Sequence, residues 1–252
     1  MTRLHSVTYG PSEGIPLVFV GSLGSSVKMW LHQLDHFAAT RPVIAIDLPG
    51  HGHSDVIAGS PSMADFAEAV LKAAPQGQFD LVGLSLGGAI AQHIALHYPD
   101  RVHRLALVST AAVFGEPEAW VHKAADVRAG KLDQFSHGTL ERWFSPGWRE
   151  SHPASLEYWR SMVARTDAEG YASACMALST FNSRAELPGL SVPTLVVAGI
   201  QDTSTPPEVV RELAELIPGA HYVELDPAAH LLNVERAEDF NSLLADFLDQ
   251  KS

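Results

Sequence analysis

Residues 79–88 read FDLVGLSLGG, from Phe79 to Gly88. The first six residues are mostly apolar and suit a buried strand. From Leu86 to His97 the chain is rich in Ala, Leu and Ile, and it stops at Tyr98-Pro99, as a helix ahead of proline does. Ser85 stands at the junction, in a Gly83-x-Ser85-x-Gly87 pattern followed by Gly88. A strand that turns sharply into a helix needs small neighbours, because a bulky side chain would strike the strand or the helix beside it. A serine on such a turn projects above the sheet edge. The helix N-terminus beneath it offers free N–H groups and a positive dipole end to developing negative charge. The competing reading of the pattern is an ordinary glycine-rich turn.

Working outward, other short aliphatic runs have the same character: 16–20 (PLVFV), 43–46 (VIAI), 102–108 (VHRLALV), 194–198 (TLVVA) and 221–225 (HYVEL). Bounded by Gly, Pro or Asp, they fit central strands covered on both faces. Helical patterns separate them. Residues 62–74 carry Met63, Phe66, Ala67, Val70 and Leu71 at helical spacing, residues 207–216 begin with Pro and end before Pro-Gly, and residues 234–248 form a last amphipathic helix. Strand and helix in alternation predict an α/β fold with a mostly parallel central sheet and helices on both faces.

The alternation lapses between residues 111 and 187. No strand is legible there, and three or four helical patterns are, including 153–166 with Leu156, Trp159, Met162 and Val163 on one side. Trp120, Trp143, Trp148 and Trp159, four of the five tryptophans, fall in this stretch. The expectation is a helical cap (111–187) inserted into a core made of residues 1–110 and 188–252. Cys175 is expected to pack inside the cap.

Composition removes several function classes. With 46% hydrophobic and 18% charged residues, the 252-residue chain has the makings of a packed core. A net charge of −12 without a Lys/Arg block is the wrong footprint for nucleic acid. One cysteine builds neither a disulfide nor a Cys-rich metal site. Residues 1–10 (MTRLHSVTYG) have no apolar signal core, and no apolar run approaches the roughly 20 residues of a membrane span. A cytoplasmic protein with no membrane partner is the expectation.

A serine hydroxyl needs a base to become a nucleophile. Of 13 histidines, His230 follows the run 221–225 by one short loop and precedes the last helix. Asp202 follows the run 194–198 directly and is the candidate acid, with Asp226 as rival. The order Ser, Asp, His suits this fold class. Oxyanion donors are expected from the N–H of Leu86 and, in the loop Gly21-Ser22-Leu23-Gly24, from the N–H of Leu23. Asp47, His51 and His53 lie close enough in sequence to suggest metal ligands, but no further ligand cluster accompanies them, and no metal is expected.

These residues resemble the α/β-hydrolase superfamily over almost the whole length. The stretches Gly83-Leu-Ser-Leu-Gly-Gly-Ala89, Ser109-Thr-Ala-Ala112, Arg142-Trp143-Phe144, Asp167-Ala-Glu-Gly-Tyr171, Cys175-Met-Ala-Leu178, Thr205-Pro-Pro207 and Ala228-Ala-His-Leu231 look more narrowly like 3-oxoadipate enol-lactonases. Gly21-Ser-Leu-Gly24, in place of the His-Gly pair usual in the superfamily, belongs to the same narrower resemblance. Two stretches depart from that family: Asp47-Leu48-Pro49 stands where Asp-Gln-Arg is frequent, and Arg184 follows Asn182-Ser183 where Asp or Trp-Asp is commoner.

The resemblance implies hydrolysis of a small anionic enol-lactone through an acyl-enzyme, with no cofactor. An acidic protein must then recognise an anion locally. Residues 111–187 hold 8 basic and 10 acidic residues, against 9 and 19 in the rest, so the cap is the less negative part. Arg142, with Trp143 beside it, is the candidate contact for the substrate carboxylate. A broad carboxylesterase, another lactonase, a C–C bond hydrolase and a non-catalytic ligand receptor share the same sequence features.

Overall fold

The computed structural model describes residues 2–250. Seven strands form one sheet: β1 (Ser6–Tyr9), β2 (Leu17–Val20), β3 (Val43–Ile46), β4 (Phe79–Leu84), β5 (Val102–Val108), β6 (Thr194–Gly199) and β7 (His221–Leu225). Their order across the sheet is β1-β3-β2-β4-β5-β6-β7. All neighbours run parallel except β1, which pairs antiparallel with β3. The six apolar runs are the six parallel strands. Strand β1 was not legible, because SVTY is an edge strand with little burial and no apolar run.

Helices flank the sheet: α1 (Leu31–Phe37), α2 (Met63–Ala73) and α3 (Leu86–His97). Ser62 starts α2 with a reciprocal cap, its side chain accepting from the Asp65 N–H while the Asp65 carboxylate accepts from the Ser62 N–H. Five helices intervene between β5 and β6: α4 (Pro117–Asp126), α5 (Leu132–Trp143), α6 (Pro146–Ser151), α7 (Pro153–Ala164) and α8 (Ala168–Thr180). The two ends of this insertion are tied together. Val113 bridges Asn182, the Ser183 N–H donates to the Ala112 carbonyl at 3.0 Å, and the Ser183 hydroxyl donates to Gln92 Oε1 at 2.7 Å. Its aromatics pack on one another: Phe144 stacks on Trp148 with centroids 4.0 Å apart and meets Trp159 at 5.3 Å. Cys175 is fully buried in α8.

After β6 come α9 (Pro207–Leu216), α10 (Leu232–Glu235) and α11 (Ala237–Leu248). The expected continuous helix 234–248 is therefore two helices. Arg236 leaves helical geometry (φ −124°, ψ 49°) between them. The Glu235 carboxylate is engaged elsewhere, and the Arg236 guanidinium holds the Asp226 carbonyl and Asp239. Among the described residues no helix is long and apolar enough to cross a membrane.

Parallel strands bring their carboxyl ends to one rim of the sheet. The loops after β2, β4, β6 and β7 carry Leu23, Ser85, Asp202 and His230 respectively, so four distant segments meet there by topology alone.

Candidate active site

Ser85 links β4 to α3 at φ 58° and ψ −115°, a backbone conformation that non-glycine residues rarely adopt. Its surroundings hold it there. The Ser85 N–H donates to the Val108 carbonyl at 3.0 Å, and its own carbonyl accepts from the Thr110 hydroxyl at 2.8 Å. The glycines around it have no spare room. A Cβ on Gly83 would overlap the Gly87 carbonyl, one on Gly87 would overlap the Val20 carbonyl, and one on Gly88 would overlap Thr110. Strain of order 1–3 kcal/mol at one residue persists only where its neighbours enforce it.

His230 Nδ1 lies 2.7 Å from Asp202 Oδ2, and both side chains are buried. A carboxylate that accepts at this contact selects the imidazole tautomer with its proton on Nδ1, the arrangement that leaves Nε2 free to act as a base. Asp202 is fixed in turn. Its Oδ1 accepts from the N–H of Ser204 at 2.7 Å and of Thr205 at 3.2 Å, and its Oδ2 from the Thr205 hydroxyl at 2.8 Å. It thus organises its own turn and meets His230 as well. Asp226, the rival acid, is exposed.

Ser85 and His230 line the same cavity of about 70 Å³, together with Ser22, Leu23, Phe114, Trp120, Lys123, Thr139, Arg142, Trp143, Tyr171, Ser204 and Thr205. Ser85, His230, Leu23, Arg142 and Trp143 are thereby brought together, with Asp202 behind His230 and Leu86 directly after Ser85. The Leu86 N–H opens α3 and has no acceptor within the helix, whereas the next N–H, of Gly87, donates to the Gly21 carbonyl at 3.0 Å. Two larger surface clefts, of about 740 and 560 Å³, include none of Ser85, Asp202 or His230 among their lining residues. The smaller cavity holds the reactive groups, and chemistry rather than size identifies the candidate site.

Two contributors were not legible in the sequence. Glu235 reaches from α10 to accept from the Ala229 N–H at 2.9 Å, the Ser145 N–H at 3.1 Å and the Ser145 hydroxyl at 2.6 Å. Burial raises its pKa while these hydrogen bonds oppose the rise. Lys123, one turn beyond Trp120 on α4, reads in sequence as a solvated helix position, yet it lines the cavity. Asp47, in the discounted metal cluster, accepts from the N–H of Val27 at 2.6 Å and of His53 at 3.0 Å and pairs with His5 Nδ1 at 2.8 Å, while His51 Nδ1 meets the Pro49 carbonyl.

Residues 15–237 match the family model described as alpha/beta hydrolase fold. The chain is similar to 3-oxoadipate enol-lactonase 2 of Acinetobacter baylyi, with 35% identity over 243 residues, covering 94% of this chain and 90% of that protein. The crystal structure of the enol-lactonase from Burkholderia xenovorans LB400 is similar at 36% identity with a TM-score of 0.93, covering 99% of this chain and 97% of that one. A malate-bound thermophilic esterase from Thermogutta terrifontis is similar at 29% identity with a TM-score of 0.91, covering 98% and 93%.

Proposed function

The chain belongs to the α/β-hydrolase family, and from that premise we propose that it is a serine hydrolase opening the ring of 3-oxoadipate enol-lactone. The observation that carries the reading is one cavity lined by a hydroxyl on a strained turn, an imidazole paired with a buried carboxylate, and two cations. The enol-lactonase relatives support the substrate class.

In this reading His230 Nε2 takes the proton of Ser85 as Oγ attacks the lactone carbonyl carbon. The N–H groups of Leu23 and Leu86 hold the oxyanion, which such donors stabilise by a few kcal/mol each. Collapse breaks the ring C–O bond. The departing enol oxygen receives the proton from His230 and tautomerises to the ketone, leaving the chain esterified to Ser85. Water then attacks the acyl carbon and gives its proton to His230. The second collapse returns that proton to Ser85 and releases 3-oxoadipate. One water is consumed in all, and Asp202 keeps the imidazole in the required tautomer throughout. Trp143 supplies an apolar wall, and Arg142 faces the substrate's carboxylate arm.

The esterase relative favours a second reading, a carboxylesterase of wider range. Direct assay of enol-lactone loss beside a panel of neutral esters, with Ser85→Ala as control, separates the two. A kcat/KM for the lactone at least a hundredfold above every neutral ester is expected. A flat panel rejects the lactonase assignment, and turnover that survives Ser85→Ala rejects the serine mechanism.

A further inference from the structure

Lys123 projects from α4 into the cavity, where its Nζ lies 5.2 Å from the ring centroid of Trp120, 5.5 Å from that of Tyr171 and 5.8 Å from that of Phe135. Among the described residues it has no ion pair and no hydrogen bond, whereas Lys72 and Lys131 meet Glu68 and Asp126. The titratable groups around it supply no counter-charge. Burial pushes the Cys175 thiol on α8 up to about 12 and raises the Tyr171 phenol from the same helix, so both are neutral. Arg142 on α5 is a second cation, and among the described residues it has no carboxylate partner and one hydrogen bond, to the Thr139 hydroxyl at 3.2 Å. Burial pulls the Lys123 ammonium down to about 8, which leaves it mostly charged at neutral pH. Aromatic faces offset part of the cost of a desolvated cation, but an opposite charge would offset far more. In a chain of net charge −12, two cations without carboxylate partners beside Ser85 and His230 form an anion site awaiting its anion.

We propose that Lys123, caged by Trp120, Phe135 and Tyr171 and flanked by Arg142, determines specificity by taking the free carboxylate of an ester or lactone whose reacting carbonyl lies at Ser85. The inference deepens the reading above and rests on it for the position of that carbonyl. An incoming carboxylate gives the ammonium a charge-assisted hydrogen bond that a neutral ester cannot supply. A neutral ester leaves the cation unpaired, so selectivity arises from the wrong substrate as much as from the right one.

Calorimetric titration with succinate at pH 7 tests the site without any turnover. The wild-type protein is expected to bind it, Lys123→Met to weaken binding at least tenfold, and Lys123→Arg to restore most of the affinity. Should Lys123→Met fail to fold, Lys123→Gln serves the same comparison. In parallel, Lys123→Met is expected to raise KM for the enol-lactone at least tenfold more than it changes KM for a neutral ester, the ratio of the two KM values being the readout. No succinate binding by the wild type, equal binding by a folded variant, or an equal rise of KM on both substrates overturns the proposal. Succinate binding that depends on Lys123 in a protein that hydrolyses neither substrate keeps the anion site and rejects the hydrolase assignment.

Discussion

The N–H of Leu231 donates to the carbonyl of Trp143 at 2.9 Å, joining the residue after His230 to the last residue of α5. Glu235 doubles the link by binding Ala229, on the other side of His230, and Ser145, two residues beyond Trp143. The inserted helices and the histidine loop are therefore fastened to each other at this end of the cavity. Glu235→Ala leaves two N–H groups without their acceptor, at about 1–3 kcal/mol each when desolvated. We expect a lower melting temperature and a fall in kcat that is the same for charged and neutral substrates. Glu235→Gln, which keeps one acceptor oxygen, recovers much of both. A fall confined to KM of anionic substrates contradicts this positioning role.

The Asp202–His230 pair makes a second expectation. Asp202→Asn keeps an oxygen for the N–H groups of Ser204 and Thr205 but can present an amide to His230 Nδ1, favouring the wrong tautomer. Loss of kcat by about 10⁴ is expected, with little loss of stability. Burst kinetics and thermal melts measure the two separately, and a variant with wild-type kcat removes Asp202 from the mechanism.

Substrate affinity is expected to depend on pH through Lys123. Below about 8 the ammonium is charged, and above that it is progressively neutral. KM for a carboxylate-bearing substrate therefore rises as pH passes 8, approaching tenfold per unit, while KM for a neutral ester stays level. Comparing the two substrates cancels whatever is common to both reactions, and the Cys175 thiol stays neutral until about 12. In Lys123→Arg the rise disappears. Parallel profiles for both substrates in the wild type contradict the assignment.

The same lysine is expected to cost stability. Burial pulls its pKa from about 10.5 in the unfolded chain down to about 8, so the folded state binds fewer protons than the unfolded chain between those pH values. Stability contributed by this group rises with pH across that window, and the full penalty is felt below it. Lys123→Met should therefore melt above wild type at pH 7, and the gap should close between about pH 8 and 10.5. Equal melting temperatures at pH 7 argue that the rings fully compensate the charge.

The turn at Ser85 tolerates no added carbon. Gly87→Ala drives a Cβ into the Val20 and Gly21 carbonyls, which are sheet backbone and its immediate continuation. A destabilisation of about 3 kcal/mol is expected from denaturant melts. A variant as stable as wild type would show that the strand and helix can separate at this point.

Much of this protein was legible from residue order. The six parallel strands follow from apolar runs, and α3 from its composition and Pro99, because burial and helix termination are local properties of the chain. Ser85, Asp202 and His230 were legible as candidates because the parallel strands send their carboxyl ends to one rim. Strand β1 and the break at Arg236 escaped, since one depends on a partner strand and the other on competing side-chain bonds. Glu235 and Lys123 also escaped, for a physical reason. A charged residue on an amphipathic helix looks the same whether it meets water, a loop's N–H groups or three aromatic rings, and only the packing of distant segments decides which.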